Sequence, residues 1–433
     1  MPFLTFPEQT GRFAVGQCDI MWQSRQENGK EQTKMVVRLF YPVMPEDASK
    51  AEKAAWLPDQ YGANSYSYAQ AYARFFWKPG ITASLVGTLG FLPLMSSVKT
   101  LTYDHAPLAQ GMTFKTIIYS HGLGGNRSCY SAVCTDLASH GYFVIAAEHS
   151  DGSACLSVLP DKTVVEHKIV PGKALIPQRP KRIPRGFTES LIPEQQPKTL
   201  TQFELRNGQL SHRVSEVVFL LDCIEKLNAK IDTDIVPLPE CLADLPGRIE
   251  VDHIGVMGHS FGASTAVASS FEDVRIKACI AHDAWLFPLS LETIRAVPRV
   301  PTLFLTADTF DYLWPGEGRK VINALCALQG TFHQNYSDFP ILAPDITQAI
   351  GVSGQNPEES MKVIVQLDSC FFDHYLGQGK EAKDKWRCPE EFRDAIDHKD
   401  SEEDIFDDSH NDIKIGVFTN DRNHYQMPEA NQV

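Results

Sequence analysis

Residues 254–271 read IGVMGHSFGASTAVASSF, and no other stretch of the chain says as much about its fold. A short apolar run typical of a buried strand is followed by small residues typical of a helix. Between the two lies a G-x-S-x-G motif, from Gly258 to Gly262, in the setting that a nucleophile elbow requires. Both glycines are needed because the turn is tight and a Cβ would strike neighbouring backbone. We therefore predict that Ser260 stands exposed at the carboxyl end of a sheet.

Similar apolar runs lie on both sides of this stretch and alternate with helical patterns. We predict buried strands at 34–41, 116–119, 143–147, 254–257, 278–281 and 302–306, and helices at 203–227, 263–271 and 358–375. Alternation of this kind is typical of an α/β protein with a mostly parallel central sheet and helices on both faces. A chain of 433 residues is long enough for a single large domain with insertions.

The composition places the chain among soluble globular proteins. Hydrophobic residues make up 43% and charged residues 22%, which excludes wholesale disorder and a multi-span membrane protein. A net charge of −14 argues against nucleic acid as a partner, because phosphates need clustered Lys and Arg. Residues 390–433 hold thirteen acidic and four basic residues. We therefore predict a catalytic domain over 1–389 and an acidic, solvated C-terminal tail over 390–433.

Two segments interrupt the α/β pattern. Residues 156–199 contain seven prolines and are predicted to be a surface excursion, with a lid near the active site as one use. Residues 75–98 include twenty consecutive uncharged residues between Lys78 and Lys99. A buried core helix, a helix in a membrane interface and a membrane span all remain open for this segment. Glycines and a proline within it argue against a span.

The ten cysteines are scattered, without C-x-x-C or zinc-finger spacing. This usage favours free, buried thiols in a reducing compartment, and we expect a cytoplasmic protein. The first residues show no signal peptide, and Pro2 is incompatible with N-myristoylation. No metal or other cofactor is expected, because no H-E-x-x-H or EF-hand pattern is present.

A serine nucleophile needs a histidine base and an orienting carboxylate later in the chain. His333 follows a short predicted strand at 327–332, and it is the expected base, because the other late histidines lie in the final helix or the acidic tail. Two carboxylates each follow a predicted strand: Asp283 ends KACIAHD and Asp308 ends PTLFLTAD. Both satisfy the order serine, acid, histidine. Spacing alone favours Asp308 slightly, and it leaves Asp283 open.

An oxyanion hole needs two backbone N–H groups aimed at the developing negative oxygen. The residue after the nucleophile, Phe261, supplies one. The loop after strand 116–119 reads SHGLGG over 120–125, and its glycines allow close approach to a substrate. We assign the second donor to Leu123.

Five stretches in chain order together resemble one family. They are YSHGLGGNRSCYSAVCTDLASHGYFVIAAEH (119–149), LSHRVSEVVFLLDCI (210–224), GHSFG (258–262), HDAWLFP (282–288) and FHQNYSDF (332–339). They look like the platelet-activating factor acetylhydrolases, the group VII phospholipases A2. The resemblance implies an α/β-hydrolase fold and calcium-independent hydrolysis of the sn-2 acetyl, short or oxidised acyl ester of phospholipids.

Carried over residue by residue, the resemblance implies Ser260 as nucleophile, His333 as base, Leu123 as loop donor and Asp283 as acid, against the spacing preference. It also implies that 75–98 docks on a lipid surface. There are three departures: Ala263, where the family usually has glycine; the predicted helix at 341–352, which Pro344 and Thr347 make less apolar than a second membrane contact would be; and the acidic tail. A carboxylesterase or lipase of other acyl preference, and a non-catalytic lipid-binding protein on the same fold, remain alternatives. The partner expected is a phospholipid, and the oligomeric state is left open.

Overall fold

The structure is a computed structural model in which most of the chain is described. The described residues are 6–24, 33–58, 64–76, 85, 89, 95–159, 161–168, 197–231, 238–290, 293, 299–307, 324–328, 330–349, 351–354, 356–377 and 415–419. Their strands are β1 (Ala14–Gln23), β2 (Lys34–Val43), β3 (Lys53–Ala55), β4 (Lys99–Asp104), β5 (Phe114–Ser120), β6 (Phe143–Glu148), β7 (Leu156–Val158), β8 (Val164–Glu166), β9 (Ile249–His259), β10 (Ile276–His282), β11 (Thr302–Ala307), β12 (Ala324–Leu328) and β13 (Ile415–Thr419). Their helices are α1 (Pro45–Ala48), α2 (Ser65–Phe76), α3 (Ser131–Ser139), α4 (Pro197–Asn228), α5 (Phe261–Glu272), α6 (Phe339–Leu342), α7 (Pro344–Ala349) and α8 (Pro357–Leu376), with 3₁₀ turns at Glu240–Leu242 and His333–Tyr336.

Within the described residues, eleven strands form one sheet in the order β13-β12-β11-β10-β9-β5-β6-β2-β1-β4-β3. Neighbouring strands are parallel from β6 to β12. β2 pairs antiparallel with β6, and β1 with β2. β7 and β8 form a separate antiparallel hairpin. The predicted mostly parallel central sheet is therefore confirmed.

Helices cover both faces of this sheet. Successive side chains of β5 point to opposite faces, so that Ile117 and Tyr119 join one buried cluster and Ile118 joins the other. Residues of α3 and α8 complete the first cluster, and residues of α4 and α5 complete the second. Strands buried on both faces are continuously apolar rather than alternating. This property made the central strands recognisable in the sequence.

The predicted central strands are confirmed as β5, β6, β9, β10 and β11, and the run at 34–41 as β2. The helices predicted at 203–227, 263–271 and 358–375 are confirmed as α4, α5 and α8, each slightly longer than predicted. Two predicted elements are corrected. The short strand expected at 327–332 is β12, at Ala324–Leu328. A single helix expected over 341–352 is divided into α6 and α7, because Pro344 has no N–H to continue the first helix.

The excursion at 156–199 is more ordered at its ends than predicted. It begins with the β7–β8 hairpin, and its last residues belong to α4. Residues 169–196 lie outside the described residues, so the lid stays a prediction. The acidic tail contributes β13, which pairs antiparallel with β12 at the edge of the sheet. The prediction of a solvated tail is wrong for Ile415–Thr419, whose apolar residues pair with the sheet edge. The boundary at 389/390 lies outside the described residues and remains a prediction.

The apolar segment 75–98 is described only in part. Leu85 and Leu89 have helical backbone and are 56% and 69% exposed, whereas Met95 and Val98 are buried. Among the described helices, none has the length and apolarity needed to cross a membrane.

The elbow glycines give the first prediction. A Cβ on Gly262 would overlap the carbonyl of Ser120, and one on Gly258 would overlap the backbone of Gly262. We expect Gly262→Ala to lower the free energy of unfolding by about 3 kcal/mol or more. Gly208, in the middle of α4, has open space around its Cβ position, so Gly208→Ala should stabilise by about 0.5–1 kcal/mol. Urea unfolding of Gly262→Ala and Gly208→Ala measures the two changes in the free energy of unfolding. Equal changes in the two variants would contradict the prediction.

Candidate active site

Ser260 lies in a sharp turn between β9 and α5. Its backbone has φ 57° and ψ −116°, a strained conformation for a residue with a side chain. The turn is held from both sides, because the Ser260 N–H donates to the carbonyl of His282 over 2.9 Å and the Trp285 N–H donates to the Ser260 carbonyl over 3.0 Å. The turn has the strand–turn–helix geometry of a nucleophile elbow, as the motif predicts, but the predicted exposure of Ser260 is wrong, because its side chain is buried between the neighbouring segments and is 7% exposed.

Three neighbouring parallel strands end beside this turn. Ser120 at the end of β5 pairs with Gly258, and His282 at the end of β10 pairs with His259. The segments that follow these strands therefore meet at one edge of the sheet. They carry Leu123, Ser260 and Asp283.

Asp283 is fully buried and its carboxylate is bound on both oxygens. Oδ1 accepts from the Ala307 N–H at the end of β11 over 2.9 Å. Oδ2 lies 2.5 Å from Nδ1 of His333. Because a carboxylate only accepts, Nδ1 of His333 carries the hydrogen of this bond, and Nε2 is left unprotonated in the neutral ring.

The loop that carries His333 is anchored to the body of the protein through Asp338. Its carboxylate accepts from the N–H groups of Ser131 and Ala132 at the start of α3 and from Nε1 of Trp56. Burial raises the pKa of Asp338 to about 6. The His333 side chain remains one quarter exposed.

The structure thus joins Asp283 to His333, and it bonds the Ser260 N–H to the carbonyl of His282, the residue before Asp283. In the described part of the chain no hydrogen bond joins Ser260 to His333; in unliganded enzymes such bonds are often long and tighten when substrate binds. Asp308, the acid favoured by spacing, lies outside the described residues.

The loop 121–125 lies against the nucleophile, since a Cβ on Gly122 would come within 3.3 Å of Ser260 Cβ. Three of the N–H groups of this loop donate to an acceptor within the fold. Gly122 donates to Tyr130 Oη, Gly124 to the Ser153 carbonyl and Gly125 to the Gly122 carbonyl. Among the described residues, the Leu123 N–H has no hydrogen-bond acceptor. Phe261 begins α5, where N–H groups have no partner within the helix.

Comparison with known proteins decides the family. The model of the family described as platelet-activating factor acetylhydrolase, isoform II, matches residues 2–396. The chain belongs to the platelet-activating factor acetylhydrolase family. The platelet-activating factor acetylhydrolase of Bos taurus is 30% identical over 394 residues, covering 88% of this chain and 79% of that protein. The protein of the same name from Canis lupus familiaris is 27% identical over 404 residues, with the same coverage.

A solved structure supports the fold. A ferulic acid esterase from Streptomyces cinnamoneus aligns with a TM-score of 0.53 at 19% identity, covering 88% of this chain and 95% of that one. At this identity the likeness concerns the fold alone. It agrees with the α/β-hydrolase fold expected from the family.

His259 and Tyr130 are residues of the site whose roles the sequence did not predict. Tyr130 Oη lies 2.9 Å from Nδ1 of His259 and also accepts from Gly122 N–H. Burial, together with the neighbouring His333, lowers the pKa of His259 well below its usual value. His259 therefore stays neutral, so its ring, 4.5 Å from that of His333, does not repel a proton on His333. Tyr130 and His259 lie far apart in the chain, and no sequence pattern predicts a hydrogen bond between them.

The described residues contain no group of three or more His, Cys, Asp or Glu side chains that could hold a metal ion. The buried histidines 121, 149, 259 and 282 instead bond to other protein groups.

Proposed function

We propose that the protein is a serine esterase that hydrolyses the sn-2 acetyl, short or oxidised acyl ester of phospholipids such as platelet-activating factor, without calcium. One observation carries this proposal: a buried carboxylate, Asp283, is bonded to His333 beside a strained Ser260 in a member of the acetylhydrolase family. This supports Ser260 as nucleophile, His333 as base and Asp283 as acid.

In the first half of the proposed reaction, Nε2 of His333 takes the proton of Ser260 Oγ as the oxygen attacks the sn-2 carbonyl. The N–H groups of Leu123 and Phe261 stabilise the oxyanion that forms. The C–O bond to the glycerol then breaks, and His333 returns its proton to the leaving oxygen of the lyso-phospholipid.

In the second half, a water molecule replaces the leaving alcohol. His333 takes a proton from this water as it attacks the acyl-enzyme carbonyl, and a second oxyanion forms in the same place. When this intermediate collapses, His333 protonates Ser260 and the short acid leaves. Asp283 stays ionised and keeps Nδ1 protonated, which leaves Nε2 free to accept at each attack.

We further propose that the segment 75–98 docks on a lipid surface. Leu85 and Leu89 are exposed apolar side chains four positions apart in the sequence. Exposed apolar side chains of this kind favour contact with acyl chains. The segment starts next to the site, because the Phe75 ring occupies the space where Gly124 would carry a Cβ. A phospholipid that leaves the lipid surface at this segment would contact the loop 121–125 first.

A cytoplasmic location also remains a proposal. The cysteines of the described residues at positions 18, 129, 134, 155, 223, 241, 279 and 370 are free thiols. This usage is typical of proteins in reducing compartments.

Hydrolysis in the presence of a chelator tests the function. The proposed steps use only Ser260, Asp283, His333 and two backbone N–H groups, so we expect EDTA to leave the rate of acetate release unchanged. A phospholipid with a palmitoyl chain at sn-2 should react at least about 10-fold more slowly than the acetyl compound. Equal rates on the two lipids would favour a lipase of broader acyl preference, and loss of activity in EDTA would contradict calcium independence.

A further inference from the structure

Arg213 in α4 is a buried cation that the proposed steps do not use. Its Nε donates to Asp151 Oδ2 over 3.1 Å, and this carboxylate compensates the buried charge. Nε is shared with Ser153, and the two Nη groups also face residues around Ser260. Nη1 donates to the carbonyl of His121 over 2.7 Å, and Nε and Nη2 donate to Ser153 Oγ over 3.0 and 2.5 Å.

The His121 carbonyl belongs to the first peptide group of the oxyanion loop. The N–H of that peptide, on Gly122, donates to Tyr130 Oη over 3.0 Å, so the group is held at both ends. The carbonyl of the next peptide accepts from Gly125 N–H over 3.0 Å and from His121 Nδ1 over 2.8 Å. Because C=O and N–H point in opposite directions in a trans peptide, these bonds fix the direction of the Leu123 N–H.

Two of the three ring contacts of His121 require the neutral tautomer with its hydrogen on Nδ1, so the third, over 3.4 Å between Nδ1 and Arg213 Nη2, is a contact and not a hydrogen bond. Nδ1 faces the Gly122 carbonyl and so donates, while Nε2 accepts from the His149 N–H over 3.2 Å. Burial and the positive charge of Arg213 lower the pKa of His121 well below its usual value. Arg213 therefore favours the neutral ring that holds the loop.

Arg213 also reaches the far side of the loop, through Ser153. The Gly124 N–H donates to the Ser153 carbonyl over 2.7 Å. Ser153 in turn donates to Asp151 Oδ1 through its N–H and its hydroxyl. Arg213 and Asp151 thus hold Ser153 from two sides, and Ser153 holds the loop next to Leu123.

The second oxyanion donor touches the same cation. The Arg213 Cζ lies 4.3 Å from the centre of the Phe261 ring, a cation–π contact. Phe261 is fully buried and follows Ser260 directly. One guanidinium group thus contacts both elements that carry the proposed donors.

We propose that Arg213 is a positioning residue of the oxyanion hole, which keeps the N–H groups of Leu123 and Phe261 aimed at one point. The inference rests on the proposed function, because the hole matters only if Ser260 attacks a carbonyl. The substrate oxygen bears a full negative charge only in the tetrahedral intermediate. Misplaced donors should therefore weaken binding of the transition state and leave substrate binding unchanged.

Arg213→Lys tests this, because lysine keeps a charge beside Asp151 but lacks the planar fork that reaches His121 and Ser153 together. We expect kcat for an sn-2 acetyl phospholipid to fall about 10²-fold with little change in KM. A trifluoromethyl ketone analogue, which forms a tetrahedral adduct with the serine, should lose affinity by a similar factor. An analogue with an ether in place of the sn-2 ester should bind as tightly as it does to the wild type.

Two further variants complete the experiment. Ser153→Ala removes one anchor and no charge, and should lower kcat and ketone affinity about 10-fold. Arg248→Lys is the matched control. Arg248 also donates to two backbone carbonyls, those of Ala109 and Met112, and lies over an aromatic ring, Phe114, 4.9 Å away. These contacts lie at the amino-terminal end of β5, so wild-type kinetics are expected.

Ketone affinity equal to that of the wild type in folded Arg213→Lys and Ser153→Ala would overturn the proposal, as would an equal loss of ketone and ether affinity. If Arg213→Lys does not fold, Ser153→Ala alone decides. A wild-type protein that releases no acetate would count against the proposed function instead.

Discussion

Ser260→Ala is expected to lower kcat for an sn-2 acetyl phospholipid by about 10⁴-fold or more. The methyl group cannot form the acyl-enzyme, and what remains is the effect of the oxyanion donors on attack by water. Labelling by a fluorophosphonate probe should be lost in the same variant. Both measurements use folded protein. We expect the variant to fold, because the change removes one oxygen from a side chain that is 7% exposed and leaves the turn intact.

Ser269, in the helix that follows Ser260, offers a matched control. Its hydroxyl is buried and, within the described residues, has no hydrogen-bond partner, so Ser269→Ala removes the same atom without breaking a bond. We expect activity and labelling close to those of the wild type. Substantial activity in Ser260→Ala would mean that another group attacks the ester.

Asp283→Asn is expected to lower kcat by about 10⁴-fold, while Asp308→Asn keeps activity close to that of the wild type. The asparagine side chain can present an N–H to Nδ1 of His333, which favours the tautomer with its hydrogen on Nε2. That ring cannot accept the Ser260 proton. The amide also leaves the fold in place, because its oxygen can still accept from the Ala307 N–H.

The comparison of these two carboxyl variants is decided by steady-state kinetics at neutral pH. Thermal unfolding of each variant shows that the proteins are folded. An inactive Asp308→Asn beside a nearly normal Asp283→Asn would reverse the assignment of the acid. Loss in both would mean that the second carboxyl group also acts on His333.

Much of the fold follows from local sequence. The strands beside the elbow are buried on both faces, so each is a short apolar run, and the G-x-S-x-G turn marks where one of them ends. The edge strand β3, KAA, carries no such signal, whereas β13, IGVFT, is a short apolar run that the surrounding acidic residues obscure. At Pro344 the apolar pattern predicts a continuous helix, but the proline ring divides it into two helices.

The site is predictable where chemistry restricts the residue type. A serine in an elbow, a later histidine and a glycine-rich loop leave few choices, and the structure places Ser260, His333 and Leu123 accordingly. The choice between Asp283 and Asp308 cannot be made from spacing, because both follow parallel strands that end at the same edge. The contacts of Tyr130 with His259 and of Arg213 with the loop are not predictable, because each joins residues far apart in the chain whose pairing the sequence does not display.

Trapping the acyl-enzyme tests the central claim most directly. The protein is mixed with an sn-2 acetyl phospholipid, quenched with acid within the first turnover and digested for mass spectrometry. The account predicts one acetyl group on the peptide that contains Ser260, lost on longer incubation as acetate is released and absent when the sn-2 ester is replaced by an ether. Acetate release with no acetylated Ser260 at any time, or acetyl groups on another residue that turn over at the rate of catalysis, would contradict it.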